Sequence, residues 1–358
     1  MGVQQMVLPK LNPGAIGRAS TLTQLTRAAI APLRTSNREI RTLEKLTRAA
    51  LFMPLYVPVA LLLRAAAYVG VAVVATARTS FGATMTCRLT DLIGWYVWLF
   101  GEWEPDLTRF VSSRLSGGDV FVDVGANAGY YSLLAARHVG ADGGVVAVEA
   151  SPAVFAELCD NVTANRLTDR IRLVNAAASA ASGTLTIYAG PNHNLGMSTT
   201  VPTRKLRAEA TIDAHRLDEM LSASEIASAR IIKIDVEGAE PDVLAGMTTM
   251  IPLLRADAEI VVELSPRWWP RRGRNPAAIL KPFLDSGFHM YAMGNDYSPW
   301  RYLWLDDASY AVRIRGTIDR RTRRLDLVLS RRDADRLPMV ASVASRDERS
   351  HRARVSDV

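Results

Sequence analysis

Val120-Phe121-Val122-Asp123-Val124-Gly125-Ala126-Asn127-Ala128-Gly129, continued by Tyr130-Tyr131-Ser132-Leu133-Leu134, decides the fold. The apolar run reads as a buried strand, the glycines turn the backbone, and the residues after Gly129 open a helix. Such a turn brings main-chain N–H groups and a helix N-terminus up to a ligand that side chains would hold off. In an open α/β sheet, nucleotide-like ligands bind here, at the carboxyl ends of the strands. Glu149 closes the next apolar run, Val145-Val146-Ala147-Val148, and follows Gly129 at the ~20-residue distance of an acid that grips a ribose.

The glycine spacing separates the nucleotide classes. A dinucleotide turn is G-x-G-x-x-G, its second glycine making room for a pyrophosphate. Here Asn127 stands midway between Gly125 and Gly129, and no Lys-Ser or Lys-Thr follows to mark a phosphate-cradling loop. An acid at the strand end, D-x-G-x-x-x-G and a ribose acid suit S-adenosylmethionine, which carries no phosphate.

Outward from this turn, strand and helix signals alternate from Phe81, which implies an α/β fold with a parallel sheet and helices on both faces. Strands are expected at Val120–Val124, Val145–Glu149, Ile171–Asn175, Ile231–Asp235, Glu259–Leu264, His289–Ala292 and Leu325–Ser330, with an extra one at Thr184–Tyr188. Helices are expected near Tyr130–His138, Ala153–Arg166, Glu240–Thr249 and Ala277–Ser286. Ile231-Ile232-Lys233-Ile234-Asp235-Val236-Glu237-Gly238-Ala239-Glu240 repeats the pattern of a β-branched strand ending in acids, a glycine and a helix. Asp235 and Glu237, two apart in an extended segment, share one side of the chain. They suit positioning a substrate hydroxyl, steadying a sulfonium or holding a divalent cation, for which Asp235 is the candidate ligand. Glu237 also fits a plainer role as a cap of the helix that follows.

The 358 residues carry a net charge of +7 and only two cysteines, Cys87 and Cys159. No Cys-x-x-Cys or histidine cluster accompanies them, which argues against structural zinc and a disulfide framework. Residues 1–50 hold eight basic side chains against two acids, so nearly all the excess charge lies ahead of the core. The core lacks a basic and aromatic stripe, and no nucleic-acid partner is expected. A helix is expected from Leu22 to Ala50. Leu51–Ala77 is apolar except for Arg64 at its centre, where a charge in a bilayer costs ~2.5–3.5 kcal/mol, and Pro54 and Pro58 interrupt it. One crossing would place the basic flank and the core on opposite sides, although both belong in the cytoplasm. Apolar helices lying on the cytoplasmic face of a membrane satisfy both, and a buried helical pair is the plainer alternative.

Glu102 and Glu104 in Gly101-Glu102-Trp103-Glu104-Pro105, Asp123–Tyr131, Asn175-Ala176-Ala177, Leu217-Asp218-Glu219 and Lys233-Ile234-Asp235-Val236-Glu237-Gly238-Ala239-Glu240 occur in this order. Together they resemble the FkbM-type family of S-adenosylmethionine-dependent methyltransferases, from about Phe81 to Ser330. The resemblance implies a class I methyltransferase, Rossmann-like, seven-stranded and mostly parallel sheet with a final antiparallel strand. The chain then divides into a basic segment 1–50, an apolar helical extension 51–80, a methyltransferase domain 81–331 and a charged, mobile tail 332–358. The resemblance further implies methylation of a hydroxyl on a sugar, glycolipid or polyketide-like acceptor. Gly125, Asn127 and Gly129 would floor the methionine end of the cofactor, and Asp123 would support their turn. Glu149 would take both ribose hydroxyls, Asn175 or Ala176 would lie by the adenine, and Glu102 or Glu104 would cover the cofactor.

Methyl transfer to oxygen requires alignment and an acceptor for the hydroxyl proton. Besides Asp235 and Glu237, His193 in the turn-rich Gly190–Ser198 loop is a candidate base, and an exposed loop histidine is its plainer reading. Trp268-Trp269-Pro270-Arg271-Arg272-Gly273-Arg274 follows the fifth strand, placed to stack on a sugar, meet lipid headgroups or simply pack as a surface turn. A membrane-peripheral scaffold that keeps the fold without catalysis is the competing function.

Overall fold

The computed structural model describes residues 13–36, 42–190, 197–201, 206–269, 275–294, 296–305 and 310–338. Its central sheet holds β1 Val120–Val124, β2 Gly144–Val148, β3 Ile171–Val174, β4 Ala229–Ile234, β5 Glu259–Leu264, β6 His289–Met293, β7 Tyr310–Ile314, β8 Leu325–Ser330 and β9 Arg336–Pro338. The spatial order is β3-β2-β1-β4-β5-β8-β6-β7-β9. Strands β1 to β5 pair in parallel, and β8 inserts antiparallel between β5 and β6. This is the class I methyltransferase order, reversing direction where β4 lies against β1, so the ends of both strands face one crevice.

The sheet is wider than the expected seven strands. β7 pairs antiparallel with β6, and β9 pairs with β7. β9 has only three residues and lies in a charged run, so composition reads it as tail although Leu337 is fully buried. The extra strand, Gly183–Tyr188, joins a separate small sheet with Ala177–Ala178 and Ala208–His215, the last absent from the sequence reading.

Alternation along the strands feeds two cores. Phe121, Val145 and Ala147 face one core with the helix Tyr130–His138. Val120, Val122, Val124, Val146 and Val148 face the other, with the helices Glu240–Gly246 and Pro276–Asp285. Helices therefore cover both faces, as a parallel sheet requires.

Ahead of the sheet, the expected Leu22–Ala50 helix is split. A helix Pro13–Ile30 ends in a 3-10 turn and a two-residue strand, Thr35–Ser36, before the helix Thr42–Tyr68 begins. That second helix is continuous through Pro54 and Pro58, where two apolar helices were expected; residues Val74–Arg78, at the end of the apolar stretch, instead pair with Thr84–Arg88 as a hairpin. One face of Thr42–Tyr68 packs on the domain. Phe52 is buried and its ring lies 5.1 Å from Tyr56, 6.1 Å from Phe100 and 6.4 Å from Trp300. The opposite stripe, Leu51, Leu55, Val59 and Leu62, is exposed.

Basic residues ahead of this helix are partly spent inside the protein. Arg27 donates to the carbonyl oxygens of Trp98 (2.9 Å) and Val97 in the last turn of the helix Leu92–Phe100 and to that of Arg78 in the hairpin, tying the two together. Arg34 donates to the carbonyls of Phe100 (2.9 Å) and Tyr302 (3.1 Å) and pairs with Glu102 at 3.3 Å. Within the helix Thr42–Tyr68 itself, Arg48 pairs with Glu44 one turn earlier at 2.8 Å.

Candidate active site

The β1 turn is built by contact between strand ends. Gly125 has φ 79°, and its N–H donates 2.9 Å to the Val148 carbonyl. A Cβ at Gly125 would meet the carbonyl oxygen of Asp235 at 1.8 Å, and one at Gly129 (φ 93°) would meet Leu158 Cδ1 at 2.6 Å. Both glycines are therefore demanded by packing of the β1 turn on its neighbours. Asn127 also has positive φ, 51°, which it tolerates better than most residues.

Between these strand ends lies a cavity of about 350 Å³. Gly125, Asn127 and Glu149 line one part of it, Ala176 and Ile187 a side wall, and Asp235, Glu237 and Glu263 another part. Trp103, Tyr297, Trp268, Arg323 and Arg324 complete the wall. Glu149 accepts from the Asn127 N–H at 2.9 Å and the Ser151 N–H at 2.8 Å, one bond to each oxygen. Burial outweighs these bonds and pushes its carboxyl up to about 7.

Asp123 is placed behind the turn, not in the cavity wall. It accepts from Ser132 Oγ at 2.7 Å, and its other oxygen lies 3.7 Å from Lys233 Nζ. Lys233 Nζ also lies 3.3 Å from Asp235, so one buried ammonium ties the acids of β1 and β4 together. Burial opposes that charge, but Asp235 and Asp123 more than offset it and raise its pKa.

Glu237 has φ 53°, and its carbonyl accepts from Thr199 Oγ1 at 2.8 Å. Among the four non-glycine residues with positive φ in the described structure, Asn127 and Glu237 line the cavity and Glu104 is bonded to its wall. Backbone strain thus gathers around this site. The residue that braces the following helix is Glu240, which accepts from the Gly238 N–H at 2.6 Å and from Trp269 Nε1 at 2.8 Å.

Besides Asp123, the sequence candidates Gly129, Glu102 and Asn175 are not in the cavity wall, and the place of Gly129 is fixed by packing on Leu158. Glu102 is bound to Arg34, a partner that the N-terminal segment brings in. Asn175 turns its amide back to the Glu149 carbonyl at 2.9 Å, clamping the ends of β2 and β3, while its neighbour Ala176 lines the cavity. His193 lies outside the described residues.

Glu263 and Tyr297 went unrecognised in the sequence. Glu263 sits near the end of β5, where an apolar strand hides a single acid, and Tyr297 comes from a loop after β6. Tyr297 donates to Glu263 at 3.0 Å and its hydroxyl lies 2.8 Å from Glu104 Oε1, while Tyr131 donates to Glu104 at 2.6 Å. Carboxylate oxygens of Asp235, Glu237 and Glu263 lie within 4.8 Å of one another, as do those of Glu104, Glu263 and Asp326. Burial and then these neighbouring acids raise the Glu263 pKa well above the carboxylate range.

Residues 123–290 match the model of the methyltransferase FkbM domain. Over 166 residues the chain is 27% identical to the hexuronic acid methyltransferase AglP of Haloferax volcanii, covering 46% of this chain and 61% of that protein. Two solved structures are similar at 13% identity. One is the methyltransferase FkbM of Methylobacillus flagellatus, with TM-score 0.36 over 67% of this chain and 52% of that one. The other is an S-adenosylmethionine-dependent O-methyltransferase of Thermotoga maritima, with TM-score 0.33 over 72% and 79%. The strand order built from these residues agrees with that match: residues 123–290, which run from β1 into β6, are similar to the methyltransferase FkbM domain.

Proposed function

We propose that the chain is an S-adenosylmethionine-dependent O-methyltransferase acting on a hydroxyl of a sugar, glycolipid or polyketide-like acceptor. The observation that carries this reading is the single cavity with Glu149 and the β1 turn at one part and the acids of β4 and β5 at another. Glu149 holds the ribose hydroxyls, each carboxylate oxygen keeping a lone pair beyond its main-chain bond. Gly125 and Asn127 floor the methionine end, and Ala176 leaves room for the adenine. The printed name of the Haloferax relative supports a sugar acceptor.

In the transfer, an acceptor oxygen attacks the methyl carbon, the carbon–sulfur bond breaks, and S-adenosylhomocysteine leaves. The hydroxyl proton passes to a carboxylate, for which Asp235 is the placed group. Asp235, Glu237 and Glu263 form an all-oxygen donor set suited to a magnesium-type cation, which would orient the acceptor oxygen. Lys233 beside Asp235 supplies part of the same positive charge from within the chain.

The exposed Leu51, Leu55, Val59 and Leu62 stripe supports peripheral attachment to the cytoplasmic face of a membrane. The helix Thr42–Tyr68 is long and apolar enough to cross a bilayer, but its Phe52 face is occupied by the domain and Arg64 is exposed. Calorimetric titration of S-adenosylmethionine, S-adenosylhomocysteine and NAD against the full chain tests the cofactor. Saturable binding of the first two and none of NAD is expected; binding of NAD alone would overturn it.

A further inference from the structure

Charge around the cavity is sorted by position. Asp235, Glu237 and Glu263 gather at the strand ends, whereas Arg323, from the loop before β8, is exposed where it lines the same cavity. Next to it, Arg267, Arg320 and Arg321 line a second open cavity of about 410 Å³ with Pro266 and Trp269. The two loops that carry these arginines are joined by the Arg267 N–H donating 3.1 Å to the Thr322 carbonyl. Arg324 differs from them. It lies 3.8 Å from the Tyr297 ring centroid and 3.9 Å from Asp326, so it belongs to the internal network.

The tryptophan pair divides in the same way. Trp269 is buried and bonded to Glu240, while Trp268 is exposed in the cavity wall, where an indole suits stacking on the C–H side of a sugar ring. An acceptor suited to this arrangement places its reacting hydroxyl by the acids and an anionic group out at the guanidinium groups. Guanidinium forks match carboxylate and phosphate oxygens in pairs, which a neutral sugar cannot exploit.

We propose that Arg323, flanked by Arg267, Arg320 and Arg321, is an oxyanion-binding rim that selects acceptors bearing a carboxylate or phosphate, with Trp268 as the stacking platform. This rests on the methyl-transfer reading of the same cavity. The full chain, saturated with S-adenosylhomocysteine, is titrated calorimetrically with D-glucuronate, glucose 1-phosphate and D-glucose. At least one anionic sugar should bind about ten-fold or more tightly than glucose, and which one does so separates carboxylate from phosphate recognition. Arg323→Gln, and separately the double variant Arg320→Gln/Arg321→Gln, should remove most of that preference while S-adenosylhomocysteine affinity stays within about two-fold.

Equal affinity for glucose and both anions, no saturable binding of either anion, or a preference retained in both variants overturns the proposal. So does loss of binding to phosphatidylglycerol vesicles in the variants with sugar preference intact, which would assign the arginines to lipid headgroups. Failure of the unmutated chain to bind S-adenosylhomocysteine sinks the cofactor reading itself, and the rim assignment with it.

Discussion

Gly125 and Asp235 touch through their backbones: a Cβ on Gly125 would stand 1.8 Å from the Asp235 carbonyl oxygen. The turn proposed to face the cofactor and the acid proposed to face the acceptor are thus held in register by main-chain packing. The Asp235 N–H donating 2.9 Å to the Val124 carbonyl fixes the same junction.

Gly125→Ala should therefore damage fold and binding together. The left-handed backbone alone costs a non-glycine residue about 1–2 kcal/mol, and the backbone clash adds to it. Denaturant unfolding is expected to show a loss of about 3 kcal/mol or more, with weakened S-adenosylmethionine binding. A variant as stable as the parent would contradict the contact.

Glu149→Ala should weaken S-adenosylmethionine binding by about 1.5–3 kcal/mol, the range for hydrogen bonds to a charged group. The pH dependence has a defined sign. With the folded pKa near 7 and the ordinary value at 4.5, the folded state keeps a proton that the unfolded chain has released. This group's contribution to stability is therefore present below the ordinary value and lost as pH rises toward 7. Ribose hydroxyls donate to the ionised form, so affinity should rise several-fold from about pH 6 to about pH 8. Calorimetry on Glu149→Gln should give a weak, flat profile; a preserved rise would assign the titration elsewhere.

Asp235→Asn keeps the size and the backbone contact with Gly125 but removes the charge facing the cavity. Methyl transfer should fall by about 10²–10⁴, the range for a lost acid–base group, while cofactor affinity changes little. If the three acids hold a cation, chelation should reproduce the loss and magnesium should reverse it. Chelator-insensitive turnover removes the cation alone, and full activity in the Asn variant removes both roles.

The full chain should sediment with anionic vesicles and be released only in part by salt, because apolar burial survives screening. Replacing Leu51, Leu55 and Leu62 with Gln should abolish sedimentation without lowering the melting temperature, since all three are exposed and Phe52 makes the internal contact. Undiminished sedimentation would refute the assignment of that stripe. Proteolysis of sealed vesicles from one side should cut the segment before the helix and the domain together; cleavage from opposite faces would establish a span.

The strand-turn-helix at Asp123–Gly129, the acid at Glu149 and the acid pair after β4 were legible because their information is local. Periodicity sets which strand faces are buried, glycines announce sharp turns, and an acid ending an apolar strand must face a crevice. The parallel α/β sheet followed from these signals; the class I order with its antiparallel strand was what the family resemblance implied, and the sheet has it, with β8 lying between β5 and β6. Tertiary structure alone decided what depends on partners distant in sequence. Glu102 turns to Arg34 because the N-terminal segment docks beside it, and Asn175 folds back on Glu149. Glu263 joins Asp235 and Glu237 only because β4 and β5 lie side by side, and Tyr297 reaches it from a loop after β6. Residues 42–68 read the same whether buried or on a bilayer, since composition records how apolar a helix is and not what lies against each face. Packing settled one face through Phe52 and left the leucine stripe outward.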